Sequence, residues 1–528
     1  MLIPIGTAFI IAFCAGFAYF SRRFLGDLFL ERAIVLGPLT GLIMGDLRTG
    51  LLVGGALELI FMGASDIGGT VPVNLAIGST IGTALAIAGH LTPEMALAIA
   101  IPAAIAGSLF EMLAKIGSSL FVVGAEHYAD RGSAGGICLM VHLGNLLHFL
   151  ADFTPVFLVL WLGGNLGKEL ATFLPAWLQS GIKLAGNMLP ALGFGILLST
   201  LAAPGMIPWF FMGFLLAIFA KFSVLGAAFV GILIGTIYIF QKGGLNFVRG
   251  ETEAEKEVGN LVPAADRRTI FWRSFGIQSA FSFDRMQALG FVWTLIPFLK
   301  KLYGATPEFS KALKRHLAFF NTHPWIPGPI FAIVADLEAH RAQDPTKTDV
   351  ESIQAVKGSL MGPLAGIGDA TFHGTLRPVM GGISASLALQ GIPFAPILFV
   401  VVMNAVHVFV RWFSQEWGFR LGGNLFERVD QAGLRRLMEG ISIAGLMAVG
   451  SLVANWLTFG IAKSVTYTSG KFSLPIQGMV DGIMPGLLPL LTTLLVYWAV
   501  RRGVRNVNIM LILLAIAIVF GGIIKVFA

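Results

Sequence analysis

A chain of 528 residues that is 56% hydrophobic, with a mean hydropathy of +0.80, carries 12% charged residues, against about 25% in an ordinary soluble protein. That composition excludes a soluble globular enzyme and describes a polytopic integral membrane protein. The net charge of +7 comes from Lys and Arg scattered at the ends of apolar runs, which is how membrane segments are oriented, and not from a basic face interleaved with aromatics that would bind nucleic acid.

The first apolar run ends on Ser21, Arg22 and Arg23. It lacks a basic leading region and a small-residue cleavage site, so it predicts an uncleaved first span with the arginine pair at the membrane edge. Further apolar tracts follow near 34–62, 72–125, 137–163 and 174–240, then near 322–335, 379–413, 440–462, 481–500 and 507–527. At about 20 residues per crossing they predict an all-α membrane protein of about ten to twelve segments. Broken or re-entrant helices are expected among them, given 65 glycines and 24 prolines.

Between the two groups of tracts, QKGGLNFVRGETEAEKEVGNLVPAADRRTIFWR (241–273) turns polar and mixed in charge. It predicts an exposed linker, residues 246–268, between a module at 1–245 and another at 269–528. Lys300 to Arg315 reads as a surface helix with a basic face, and 339–348 as a loop. Cys14 and Cys138 lie in apolar stretches without disulfide or metal-ligand spacing. No metal and no cofactor are expected.

Within LLVGGALELIFMGASDIGG (51–69), Glu58 is an ionisable side chain at membrane depth. There a charge costs about 2.5 to 3.5 kcal/mol even on mild scales unless it faces a polar cavity, which marks Glu58 as a site candidate. Asp46, in GDLRTG, reads instead as a partner of Arg48 or as a cap or turn residue at the membrane edge.

The second half carries TIFWRSFGIQSAFSFDRMQALGF (269–291), LKRHLAFFNTHPWIPGPIFAIVADLEA (313–339) and VKGSLMGPLAGIGDATFHGTLRPVMGGISASLAL (356–389). These resemble the IID component of mannose-family sugar phosphotransferase systems (PTS). GLIMGDLRTGLLVGGALELIFMGASDIGG (41–69) and IAGHLTPEMALAIAIPAAIAG (87–107) resemble the IIC component of the same family. The resemblance implies a fused IIC–IID permease of the bacterial inner membrane, trimeric, that binds a hexose or related sugar outside and presents it inside. A soluble IIA/IIB pair would then supply phosphate from a phosphohistidine. None of the nine histidines stands in a recognisable phosphorylation context, which agrees with that division of labour and leaves the chain without a catalytic residue of its own. An ion-coupled secondary transporter of a small polar solute is the alternative, since it shares broken helices and midplane polar groups.

A neutral sugar needs groups that donate and accept hydrogen bonds. In the IIC-like half these are Glu58, Asp66 and Asn74, eight residues apart, although Asp66 and Asn74 also fit turn and cap roles. In the IID-like half they are Gln278, Asp284 and Gln287, where an interfacial helix is the plain alternative, and Asn321 and His323 beside the break at Pro324. Asp369, His373 and Arg377 recur every four residues and so share one helical face, either as an ionic network or as ligand contacts. Family members more often have a large aromatic at the His373 position, which leaves room for a hexose other than mannose, an amino sugar or a conjugate. Glu111, His142, His148, Asp152 and His407 read as satisfied core positions.

Overall fold

The computed structural model describes residues 3–62, 73–163, 176–202, 205–244, 261–346, 348–421, 431–462, 465–469, 472–504, 506–521 and 524–526. In the first half the apolar tracts fold as α1 (Ile5–Phe24), α2 (Ala33–Met44), α3 (Leu47–Phe61), α4 (Leu75–Gly89), α5 (Pro93–Asp130), α6 (Ala134–Leu162), α7 (Ala176–Met188), α8 (Pro190–Leu201), α9 (Ile207–Ala220) and α10 (Val224–Gln241). The polar residues between tracts set the starts. Asp46, Asn74, Ser133 and Ser223 each accept a backbone N–H of the first turn of α3, α4, α6 and α10, satisfying groups the helix itself leaves unpaired. The tract read near 72–125 is therefore two helices, divided by the left-handed His90 and by Pro93.

The second half continues with α11 (Ala264–Ser274), a 3₁₀ turn (Phe275–Gln278), α12 (Ala288–Tyr303), α13 (Pro307–His316), α14 (Gly328–Gln343) and α15 (Val350–Gly368). A π-helical stretch (Asp369–Leu376) joins α15 to α16 (Arg377–Leu389). The chain then forms α17 (Ala395–Leu421), α18 (Gln431–Trp456), α19 (Ile476–Ile483), α20 (Leu487–Arg501) and α21 (Asn506–Phe520). Two antiparallel ribbons interrupt the helices: β1 (Phe459–Ile461) pairs with β4 (Ile524–Val526), and β2 (Thr466–Ser469) with β3 (Phe472–Pro475). The surface helix expected over Lys300 to Arg315 is split: Lys300 and Lys301 end α12 before Gly304, and α13 carries Lys311 and Lys314 outward while Phe309, Leu313 and Arg315 are buried. Two further expectations shift. Helix α11 starts inside the stretch read as linker, directly after the extended Pro263. The expected loop at 339–348 begins only after Gln343, because α14 carries Ala339 on its buried face.

Among the described residues, six helices are long and apolar enough to span a membrane: α1, α5, α6, α10, 395–420 of α17 and 439–456 of α18. Helices α19 and α20, bent by 72°, make a seventh if they form one broken span, and five shorter apolar helices accompany them. The two halves of the chain interleave. Helix α16 packs on α3, and α18 lies along α9 and α10. One apolar core combines Leu57, Ile60 and Phe210 with Met447 and Leu452, and a second combines Phe29 and Val122 with Phe291, Trp325 and Phe399. Close approach needs small residues. A Cβ on Gly213 would fall 2.0 Å from the Met447 carbonyl oxygen, and one on Gly450 2.0 Å from that of Phe210, so glycines on both helices let α9 and α18 touch backbone to backbone.

Candidate functional site

The polar interior starts where α1 ends. Residues 21–32, SRRFLGDLFLER, fold inward, so that Arg22, Arg23, Asp27, Glu31 and Arg32 are all buried. Charges removed from water must find partners, and each does. Arg22 Nε lies 3.9 Å from both Asp27 Oδ1 and Glu31 Oε1. Arg23 donates to the Tyr19 hydroxyl at 2.5 Å, to Glu111 Oε1 at 3.3 Å and to Gln278 Oε1 at 3.5 Å. Lys115 Nζ, one turn after Glu111, reaches the same Oε1 at 2.8 Å. Arg32 donates to Glu58 through Nη2 and, at 3.0 Å, through Nε.

Against this frame the IID-like half lays the segment 279–287. Ala280 N donates to Asn145 Oδ1 at 2.9 Å, the Phe281 carbonyl meets His148 Nε2 at 3.1 Å, and the Phe281 ring lies 5.1 Å from the Arg23 guanidinium carbon and 5.5 Å from Lys115 Nζ. Phe29, Ala280 and Met286, in the two segments that meet here, hold left-handed backbone with φ of 61°, 48° and 53°. Non-glycine residues adopt such angles at a cost of about 1 to 3 kcal/mol each, a strain that concentrates at functional sites.

Two small polar cavities open in this interior, and both touch Arg22. The first, about 30 Å³, is walled by Tyr19, Glu31, Arg32, Asn74, Glu111 and Arg377. The second, about 40 Å³, is walled by Arg23, Lys115, Gln278, Gln287, Asn321 and His373, with Asp369 and Thr322 beside them. Each has room for a few water molecules, since one water needs about 10 to 15 Å³ on this measure; seating a hexose needs the walls to move apart. Between α5 on one side and α7 and α21 on the other, a cavity of about 590 Å³ is lined almost wholly by apolar side chains, which suits no sugar.

The sequence candidates divide accordingly. Asn74, Gln278, Gln287, Asn321, Asp369, His373 and Arg377 all line a cavity. Asn74 is both cap and wall: its Oδ1 accepts from Ile77 N at 2.9 Å while its Nδ2 donates to Asp152 Oδ1 at 2.8 Å. Gln287 is locked on the Thr322 backbone, donating to its carbonyl at 2.8 Å and accepting from its N–H at 3.0 Å. Glu58 lies behind the wall, fully buried, where it holds Arg32 and accepts from Ile34 N at 3.3 Å. Asp284 is exposed and accepts from Ser119 Oγ at 2.7 Å, away from both cavities. Asp66 lies outside the described residues. His323 stands behind Asp369, with its Nε2 4.0 Å from Asp369 Oδ1. Asp369 and His373, four residues apart, stay on one face although the helix is π-wound there, with His373 Nδ1 3.9 Å from Asp369 Oδ1; such π-bulges recur at functional sites.

Arg22, Arg23, Glu31, Arg32, Glu111 and Lys115 were not singled out by the sequence. The arginine pair reads as a membrane-edge flank, and Glu111 as a satisfied core residue. The available signal was density: five charged residues in twelve at 21–32, and an acid and a base four apart within the apolar α5. Asp46 does cap α3, accepting from Thr49 N at 3.0 Å and Thr49 Oγ1 at 2.6 Å, and these bonds hold its carboxyl below the usual range.

A polar interior framed by both halves directs attention to what each half is like. Residues 262–527 match the family described as the PTS system mannose/fructose/sorbose family IID component, and residues 5–237 match the PTS system sorbose-specific IIC component. The chain belongs to the mannose/fructose/sorbose PTS family. It joins a IIC and a IID component in one polypeptide and is the membrane part of a PTS sugar transporter, a multi-pass protein of the inner membrane. The second half is 39% identical over 240 residues to the fructose permease IID component of Bacillus subtilis (strain 168), covering 45% of this chain and 87% of that protein. It is 36% identical over 259 residues to the mannose-specific EIID component of Escherichia coli (strain K12), covering 48% and 90%. The first half is 29% identical over 203 residues to the mannose-specific EIIC component of the same strain, covering 38% and 74%.

Proposed function

We propose that this permease binds a hexose between its IIC and IID halves, in the space of the two polar cavities, and hands it inward to a soluble phosphohistidine protein of the IIB type charged by IIA. The observation that carries this reading is the joint wall: across the second cavity Arg22, Arg23 and Lys115 from the IIC half face Gln278, Gln287, Asn321, Asp369 and His373 from the IID half, and in the first Asn74 and Glu111 share the wall with Arg377. Amides, imidazole and carboxylate supply the donors and acceptors that hydroxyls need. Because each cavity has room for only a few waters, sugar entry has one bundle rock against the other around the site, as in transporters with midplane sites. The module boundaries, 1–245 and 269–528 with a linker at 246–268, and a homotrimeric assembly complete the proposal. Joining the two components in one chain fixes their ratio at one to one and raises the effective concentration of each for the other.

The test is uptake of D-mannose, D-fructose and L-sorbose into membrane vesicles supplied with phosphoenolpyruvate and the soluble phosphocarriers. Product that accumulates as sugar phosphate and is insensitive to ionophores supports group translocation. Unmodified sugar whose accumulation collapses with the ion gradient contradicts it.

A further inference from the structure

Three polar atoms at the wall of the second cavity face one another without touching. His323 Nε2, His373 Nδ1 and a carboxylate oxygen of Asp369 lie within 4.8 Å of one another. Both imidazole atoms are buried and lack a hydrogen-bond partner among the described residues, an arrangement that costs free energy and calls for an explanation. Each ring's other nitrogen fixes its proton. Trp325 N–H donates to His323 Nδ1 at 3.2 Å, so the neutral ring carries its hydrogen on Nε2. His373 Nε2 faces Asp27 Oδ2 at 3.4 Å, and Asp27 in turn lies near Arg22. A carboxylate only accepts, so His373 carries its hydrogen on Nε2 and presents a lone pair at Nδ1. The cluster thus offers one donor, His323 Nε2–H, and two acceptors, His373 Nδ1 and Asp369.

We infer that this cluster reads a single hydroxyl of the transported sugar, which donates to His373 Nδ1 or Asp369 and accepts from His323 Nε2–H. The inference rests on the proposed sugar site and names the feature of the substrate that the site selects. With the three atoms no more than 4.8 Å apart, one oxygen can stand about 2.8 Å from all of them, the ordinary hydrogen-bond length. A divalent cation fits the same residue types but not the same protons: His323 turns an N–H, not a lone pair, toward the centre, and a ligating histidine needs the reverse. An ammonium group is equally mismatched, because it cannot accept from His323. A position that requires both donation and acceptance selects a hydroxyl over hydrogen and over an amine, and sites built this way reject the analogue lacking the hydroxyl by factors of about 10⁴ to 10⁵ when nothing compensates.

The experiment measures binding of D-mannose, D-fructose, L-sorbose and D-glucose to the purified full chain by calorimetry, then of the monodeoxy and monoamino analogues of whichever binds. It uses the wild type, His373→Gln and His373→Phe, with the melting temperature of each recorded. The expected result is one ring position at which the deoxy and amino analogues both lose at least about 100-fold in the wild type. His373→Phe lowers affinity for the parent sugar but treats parent and deoxy analogue within a few-fold of each other, while His373→Gln, which keeps an acceptor, restores part of the preference. Losses spread evenly over all positions, or a preference unchanged in His373→Phe, overturn the inference while leaving the sugar site standing. Absence of binding by all four sugars overturns the sugar-site reading itself. Zn²⁺ that binds the wild type but not His373→Phe and competes with the sugar overturns the proton assignment on which the inference depends.

Discussion

Two buried clusters of the same residue types end differently. In the C-terminal half of α14, Glu338 accepts from Arg315 Nε and Nη2, both at 2.7 Å, from the Tyr303 hydroxyl at 2.6 Å, and pairs with His316 Nε2 at 2.8 Å. Every oxygen of that carboxylate is used. Around Asp369 the two imidazoles stop at 3.9 and 4.0 Å, too far for a hydrogen bond. A closed network holds the protein together, and an open one leaves capacity for something else. The same contrast separates Glu58, closed on Arg32 behind the wall, from Asn321 and Asp369 in the wall.

The sharpest way to break this comparison is to open the closed cluster. Glu338→Gln removes the buried counter-charge of Arg315, which keeps, among the described residues, only the partly exposed Glu308 at 3.5 Å; removing one partner of a buried pair costs about 3 to 5 kcal/mol, and the melting temperature of the purified chain should fall markedly. Burial alone would raise the Glu338 carboxyl, but the hydrogen bonds from Arg315 and His316 outweigh it and hold the group well below its usual range. A depressed acid contributes stability above its unfolded pKa, about 4.3, and loses that contribution as pH falls through its folded value. The gap in melting temperature between wild type and Glu338→Gln should therefore be full near neutral pH and shrink on acidification. A gap independent of pH would contradict the assignment.

Glu58→Gln belongs to the same class and should be milder, because Glu58 holds one arginine and one backbone N–H where Glu338 holds an arginine, a tyrosine hydroxyl and a histidine. Its first effect is on melting temperature, with sugar affinity falling only as Arg32 shifts within the first cavity. Equal stability and a large drop in affinity would move Glu58 into the wall. At the small end, Asp46→Ala removes the N-cap of α3 and should cost about 1 kcal/mol, with sugar uptake unchanged.

Much of this was legible in the residues. Apolar length and turn chemistry gave the helices, and ionisable groups in apolar tracts pointed to Asp369 and His373, whose four-residue spacing survives in a π-wound helix. What escaped had a physical cause. Arg22 and Arg23 obey the pattern of a membrane-edge pair, and only tertiary folding of 25–32 turns them inward onto Glu31 and Glu111. Glu58 was legible as a buried acid, but whether such an acid meets a ligand or an arginine depends on Arg32, 26 positions away. Asp284 and Gln287 are three residues apart, yet the left-handed Met286 between them sends one to the surface and the other into the wall.

The most direct test pairs two readings on one variant, Asp369→Asn: affinity for the bound hexose by calorimetry and melting temperature of the same sample. Loss of one charge-assisted hydrogen bond, about 1.5 to 3 kcal/mol, corresponds to an affinity weaker by about 10- to 150-fold, and the melting temperature should stay close to that of the wild type because no closed network is broken. Unchanged affinity with a melting temperature lowered as far as in Glu338→Gln would show that Asp369 holds the fold and that the sugar binds elsewhere.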